Sequence, residues 1–169
     1  GLYILSAINA LEARERGYDE ALFLNLEGNV AEGPGANLFI VKSGRLKTND
    51  LSESILEGIT RTTLLEMAGN MGLRTKVGPI TRKELFEADE AFFSGTAVEI
   101  TPIIQIADGS QKDKEAKKYE IGSGQVGAVT RRLAEDYHAA CCGLLPRYHK
   151  WLTYVEEQKA KPAPAHPGR

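Results

Sequence analysis

Residues 30–48, Val-Ala-Glu-Gly-Pro-Gly-Ala-Asn-Leu-Phe-Ile-Val-Lys-Ser-Gly-Arg-Leu-Lys-Thr, hold short apolar runs separated by two turn signals. The run 37–42, the dipeptide Ser43-Gly44 and the run 45–48 read as a β-hairpin. Just upstream, residues 21–26 read as a strand, Glu27-Gly28-Asn29 as a turn and residues 30–32 as a short strand, so another hairpin leads into Glu32-Gly-Pro-Gly-Ala-Asn37. Several short antiparallel strands crowded into the first third of the chain predict a β-rich half-barrel.

Helical periods flank this core. Ile4, Ala7, Ile8 and Leu11 share one face of a helix over residues 2–16 that stops at Gly17, and that face is expected to pack against something. Leu64, Leu65, Ala68 and Met71 fit a helix that starts near Ile59 and ends before Gly72. Residues 74–77 resume as a strand, and Thr81-Arg-Lys-Glu84 is a capping box opening a short helix over residues 82–88. Residues 90–94 and 99–106 are further strands, 108–120 a solvated loop or hairpin tip, 126–142 a helix and 148–155 a short aromatic segment. Together these elements predict a mixed α/β fold in one domain over residues 1–155, followed by a disordered tail, 156–169, rich in proline and alanine.

The 169 residues suffice for one core that buries roughly 70% of the unfolded surface. Acidic and basic residues nearly cancel, 23 against 21, which argues against nucleic acid or an anionic membrane as partner. No apolar run approaches the roughly 20 residues of a membrane helix, and no leader pattern opens the chain. Cys141 and Cys142 are adjacent, poorly placed for a disulfide, and lack zinc spacing, so a reducing cytoplasm is the expected location and no metal is expected.

Three motifs carry candidate chemistry: Glu32-Gly-Pro-Gly-Ala-Asn37, Glu57-Gly-Ile-Thr-Arg61 and Ser94-Gly-Thr-Ala-Val-Glu-Ile-Thr-Pro102. Taken singly, the first is a turn after an exposed glutamate, the second an ordinary helix cap and the third a tight strand connection. Gly58-Ile59-Thr60 stands where a helix begins, so the amides of Ile59 and Thr60 and the Thr60 hydroxyl can point together at an anion. Gly95-Thr96-Ala97 offers a second group of amides and a hydroxyl, with Gly95 allowing close backbone approach. Glu32 is the candidate acid.

In order and spacing the three motifs resemble the class IV aminotransferases, which use pyridoxal 5'-phosphate, and most closely the branched-chain amino-acid aminotransferases. The similarity extends over nearly everything from Gly1 to Val155, including Tyr18-Asp-Glu, Thr130-Arg-Arg-Leu133 and Trp151-Leu-Thr-Tyr-Val155. It implies the C-terminal, cofactor-binding domain of a fold type IV (D-amino-acid aminotransferase-like) enzyme, a β half-barrel with surrounding helices. It further implies that Glu32 pairs with the pyridine nitrogen, that Ile59, Thr60 and Thr96 hold the phosphate among Gly35, Gly58 and Gly95, and that Leu56 packs on the ring face. Tyr3 matches the tyrosine that bonds the ring oxygen, while Thr96 and Ala97 match the backbone that receives the substrate carboxylate. The family's Schiff-base lysine would precede Gly1, so the chain is expected to be a truncated enzyme, inactive as it stands. The implied reaction moves the amino group of L-Leu, L-Ile or L-Val to 2-oxoglutarate in a homodimer whose partners are small amino acids and 2-oxo acids. A D-amino-acid aminotransferase, an aminodeoxychorismate lyase and a non-catalytic phosphate-binding remnant are the alternatives.

Two departures from the family pattern stand out. Ala36 takes the place of a glutamate common in the motif, and residues 111–120 look like a charged loop insertion. Gly122-Ser-Gly-Gln-Val-Gly127 imitates a dinucleotide fingerprint, but residues 119–121 do not read as a buried strand and no acid-terminated second strand follows, so these glycines are expected to shape a turn. No Ser or Cys nucleophile motif accompanies His138, His149 or His166.

Overall fold

The computed structural model describes residues 3–109 and 116–155. The expected tail, 156–169, and the first half of the charged insertion, 111–115, lie outside the described residues. Among the described residues, eight strands and four α-helices follow one another in the order α1 (Ile4–Glu15), β1 (Glu32–Gly33), β2 (Ala36–Lys42), β3 (Arg45–Thr48), α2 (Ile59–Asn70), β4 (Arg74–Val77), α3 (Arg82–Phe86), β5 (Glu90–Gly95), β6 (Glu99–Ile103), β7 (Gln105–Asp108), β8 (Lys117–Glu120) and α4 (Ala128–Cys141).

The main sheet runs β4-β3-β2-β5-β6, with β1 also paired to β2, and it is open rather than closed into a barrel. Ser43 and Gly44, both at positive φ, make the tight hairpin turn between β2 and β3. Strand β2 is central and covered on both faces, which is why it reads as a continuous apolar run instead of an alternation. Phe39 and Val41 face α2 and α4 in a core with Leu64, Met67, Phe92, Leu133 and Tyr148. Leu38 and Ile40 face the other way, with Val30, Ile80, Leu85 and Ile121. Phe39 and Phe92, opposite each other across β2 and β5, stack at 5.1 Å.

Several expectations need correction. Residues 21–26 do not form a continuous strand: they meet residues 29–32 through the Leu24–Val30 bridge and the bonds Asn25 N to Asn29 O at 2.9 Å, Ala31 N to Phe23 O at 2.8 Å and Phe23 N to Glu32 O at 2.9 Å, and because Phe23 faces both Ala31 and Glu32 a bulge interrupts the ladder. The stretch 99–106 divides into β6 and β7, since the Ile104 carbonyl turns away to accept the Ile121 amide. The stretch 108–120, expected as a loop or a hairpin tip, belongs to a hairpin in which β8 pairs antiparallel to β7; the one aromatic of β8, Tyr119, stacks on Phe86 at 4.0 Å and anchors an otherwise charged strand. The capping box at Thr81 is present with both reciprocal bonds, but the helix it opens ends at Phe86. Strand β4 is where it was expected, yet it pairs parallel to β3, which the local sequence does not reveal.

Helix α1 forms as the period requires, but no residue of it is buried, and Ile4, Leu5, Ile8 and Leu11 are all more than half exposed. The described residues supply no surface that covers its apolar face. The glycines before α4 do shape a turn, as expected: β8 is antiparallel and mostly exposed, not the buried parallel strand of a dinucleotide fold. No helix among the described residues is long and apolar enough to cross a membrane.

Candidate active site

The Pro34-Gly35 turn folds β1 back on β2 so that Glu32 stands directly opposite Asn37. On the other side of β2, Asn37 stands opposite Ser94 of β5. The ends of three strands thus meet beneath the N-terminus of α2.

Asn37 organises this corner. Its buried amide donates to Glu32 Oε2 at 2.9 Å and to the Leu56 carbonyl at 2.8 Å, while the Leu56 amide donates back to Glu32 Oε2 at 3.0 Å. Gly58, the residue capping α2, lies so close to the Asn37 side chain that a Cβ would stand 2.1 Å from its Oδ1. Gly95 is equally confined, its Cβ position being 2.9 Å from the Gly35 carbonyl. These two glycines let the α2 terminus and the β5–β6 turn close on the β1–β2 hairpin.

Burial pushes the Glu32 carboxyl above its ordinary value, and the bonds from Leu56 and Asn37 only partly offset this. Among the described residues Glu32 has no ion-pair partner. The first amides of α2 have no intrahelical acceptor, and Gly58 offers no side-chain cap. The contrast with α4 is direct: there Glu90 accepts from the amides of Val129 and Thr130 and from the Thr130 hydroxyl, at 3.1, 2.7 and 2.7 Å. Helix α2 therefore keeps a free positive end, beside which sit the buried Thr60 hydroxyl and the Ser94 hydroxyl, the latter buried without a hydrogen-bond partner. Tyr137 of α4 reaches Thr60 with a long 3.5 Å contact between hydroxyl oxygens, and burial raises its own pKa.

Of the residues singled out from sequence, the structure brings together Glu32, Gly35, Leu56, Gly58, Ile59, Thr60 and Gly95, with Thr96 and Ala97 exposed on the turn that follows Gly95. The Leu56 and Ile59 side chains are exposed. Tyr3 is not drawn in: it lies at the start of α1, 68% exposed, and its hydroxyl has no hydrogen bond among the described residues. Sequence reasoning gave no role to Asn37, Ser94 or Tyr137. The two-residue hairpin turn was signal enough to place Asn37 opposite Glu32, but nothing local announces Tyr137.

A half-buried acid lacking a cation, set near an uncapped helix end with the buried Thr60 hydroxyl and the orphaned Ser94 hydroxyl, suits a ligand that is cationic at one end and anionic at the other. The amino-transferase class IV model matches residues 2–106, and the chain belongs to that family. It is 42% identical over 159 residues to a probable branched-chain-amino-acid aminotransferase of Aquifex aeolicus, covering 94% of this chain and 48% of that protein. Against the branched-chain-amino-acid aminotransferase of Pseudomonas aeruginosa the identity is 41%, over 92% of this chain and 47% of the relative. Among solved structures, a T.th. branched-chain amino acid aminotransferase complexed with N-(5'-phosphopyridoxyl)-L-glutamate superposes with a TM-score of 0.81 at 42% identity, covering 91% of this chain and 49% of the other. The enzyme of Thermoproteus uzoniensis with norvaline gives 0.78 at 48% identity, over 90% and 47%. The chain thus spans about half the length of the relatives it matches.

Proposed function

We propose that this chain is the larger, cofactor-binding domain of a branched-chain amino-acid aminotransferase, its residues 1–155 forming that domain. The complete protein moves the amino group of L-Leu, L-Ile or L-Val to 2-oxoglutarate, acting as a homodimer in the cytoplasm. The observation that carries this reading is the pairing of a pinned, cation-free Glu32 with the uncapped end of α2, in a chain similar to enzymes solved with phosphopyridoxyl ligands.

The residues present fit pyridoxal 5'-phosphate. When bound, that group supplies an electron sink for the pair released as the substrate Cα–H bond breaks. Glu32 would hold a proton at the pyridine nitrogen, and Asn37 and the Leu56 amide, both bonded to Oε2, fix the carboxylate that does so. The amides of Ile59 and Thr60, with the hydroxyls of Thr60 and Thr96, bind the phosphate at the positive end of α2. Gly35, Gly58 and Gly95 give the backbone room to approach, and the exposed Leu56 side chain would pack on one ring face. Thr96 and Ala97 receive the substrate carboxylate on the exposed turn, while Tyr3 is assigned to the ring oxygen from family resemblance alone.

Pyridoxamine 5'-phosphate needs no covalent tether, so its binding to this chain can be measured by isothermal titration. Thr60→Ala and Thr96→Ala are expected to weaken it, and unchanged affinity in both rules out the phosphate assignment. In the complete protein, L-leucine is expected to be a donor to 2-oxoglutarate and D-alanine not; the reverse preference sinks the substrate assignment.

A further inference from the structure

Glu32 and the start of α2 belong to separate stretches of chain, yet one buried polar relay joins them. Arg61, in the first turn of α2 and only 6% exposed, donates from Nη2 to the Asn49 carbonyl at 2.6 Å. Asn49, 1% exposed, donates from its side chain to the carbonyls of Val30 and Ala31, both at 2.7 Å, and its Oδ1 accepts the Ile80 amide at 2.9 Å. Ala31 is the residue before Glu32. The chain of contacts therefore runs from the uncapped end of α2 to the backbone that delivers the acid.

The guanidinium is an expensive way to make such a tie. Arg61 has no ion pair within 4 Å among the described residues, the carboxylates of Glu57 and Asp50 acting on it only from further away, and its Nε is buried without a partner. A buried cation whose one direct hydrogen bond goes to a backbone carbonyl costs more in desolvation than a neutral donor would, and carboxylates acting from a distance offset only part of that. What it adds is stiffness: a planar donor fixed between a helix terminus and the end of a strand. A ring with a phosphate arm is rigid, and its two ends can be held together only if the protein's two anchors keep their separation to within about 0.5 Å.

We propose that Arg61 and Asn49 are positioning residues that set the spacing between Glu32 and the α2 terminus, so that both ends of one vitamin B6 phosphate are gripped at once. This rests on the function proposed above. Neither residue touches the ligand; each acts through the anchor it holds.

Two probes separate spacing from general damage: pyridoxamine 5'-phosphate, which needs both anchors, and inorganic phosphate, which needs only one. Arg61→Met cuts the relay at the helix and Asn49→Ser cuts it at the strand. Each is expected to lower pyridoxamine 5'-phosphate affinity by about tenfold while phosphate affinity stays within about twofold. The double variant is expected to be no worse than the poorer single one, because both act on one path. Arg61→Lys, which keeps the cation and a donor and serves if Arg61→Met fails to fold, is expected to recover part of the loss. Folded variants in which the ratio of the two affinities matches the parent overturn the proposal, as does a parallel fall of both. A parent chain that binds phosphate but shows no preference for pyridoxamine 5'-phosphate overturns the underlying function instead, and this proposal with it.

Discussion

Gly58→Ala replaces one hydrogen with a methyl group that has no space. The added carbon would lie 2.1 Å from Asn37 Oδ1 and 3.3 Å from Asn37 Cγ. Gly58 has φ −73° and ψ 134°, a conformation open to alanine, so the backbone itself is not strained. The cost falls on Asn37, which is 4% exposed and cannot move without releasing Glu32 Oε2 and the Leu56 carbonyl. A hydrogen bond to a carboxylate contributes about 1.5–3 kcal/mol and a neutral one about 1 kcal/mol, so the substitution should destabilise the chain by about 2–4 kcal/mol. Urea unfolding followed through Trp151, the single tryptophan, which stacks on buried Tyr148 at 4.3 Å, measures this directly. A second readout is the titration of Glu32 by NMR. The Asn37 bond holds the Glu32 carboxyl down against burial, so losing it should drive that pKa further up. A variant within about 0.5 kcal/mol of the parent, with Glu32 titrating as before, refutes the packing argument. Combining Gly58→Ala with Asn37→Ser should cost little more than Asn37→Ser alone, because the clash then has no object.

Glu32 also sets a pH dependence. Because burial raises its carboxyl above 4.5, the folded chain takes up the proton first; Glu32 favours folding below 4.5, and that contribution is lost as pH rises through the folded value. Glu32→Gln should therefore gain stability relative to the parent as pH increases, and parallel stability curves would contradict this. Removing the cap of α4 with Glu90→Ala loses three hydrogen bonds at the helix end and should cost about 2–3 kcal/mol by urea unfolding, with the loss confined to α4 and its neighbours in hydrogen exchange. Ser94→Ala removes a buried hydroxyl that has no partner and should raise stability by about 1 kcal/mol; a lower urea midpoint would show that the hydroxyl is satisfied in solution. Phe39→Ala empties the centre of the sheet and should cost about 3–5 kcal/mol.

Local chemistry made much of this molecule readable. Ser43-Gly44 specified a hairpin turn, Thr81 and Glu84 a capping box, and Gly58 with Thr60 the start of α2, because each depends on residues within four positions of one another. What stayed hidden depends on distant partners. Residues 21–26 have the composition of a strand, but the bulge that sets Ala31 and Glu32 both against Phe23 breaks their ladder, and no local signal announces it. The parallel register of β4 follows from the path of α2, not from any property of residues 74–77. At the site, the motif residues were legible because three glycine-containing turns place them. Asn49 and Arg61 were not, since a buried amide and a buried guanidinium look like surface residues until the fold encloses them. The apolar face of α1 was read correctly as apolar, and its exposure here reflects the absence of any described element to cover it.

The most direct test uses pyridoxamine 5'-phosphate labelled with 15N at the ring nitrogen, bound to this chain and observed by NMR. The parent should hold that nitrogen protonated at pH values where the free ligand has lost its proton, and Glu32→Gln should return it to the free-ligand behaviour while Thr60→Ala weakens binding without changing the shift. A ring nitrogen that titrates identically in the parent and in Glu32→Gln would mean that Glu32 does not face the ligand, and the site as assigned would be wrong.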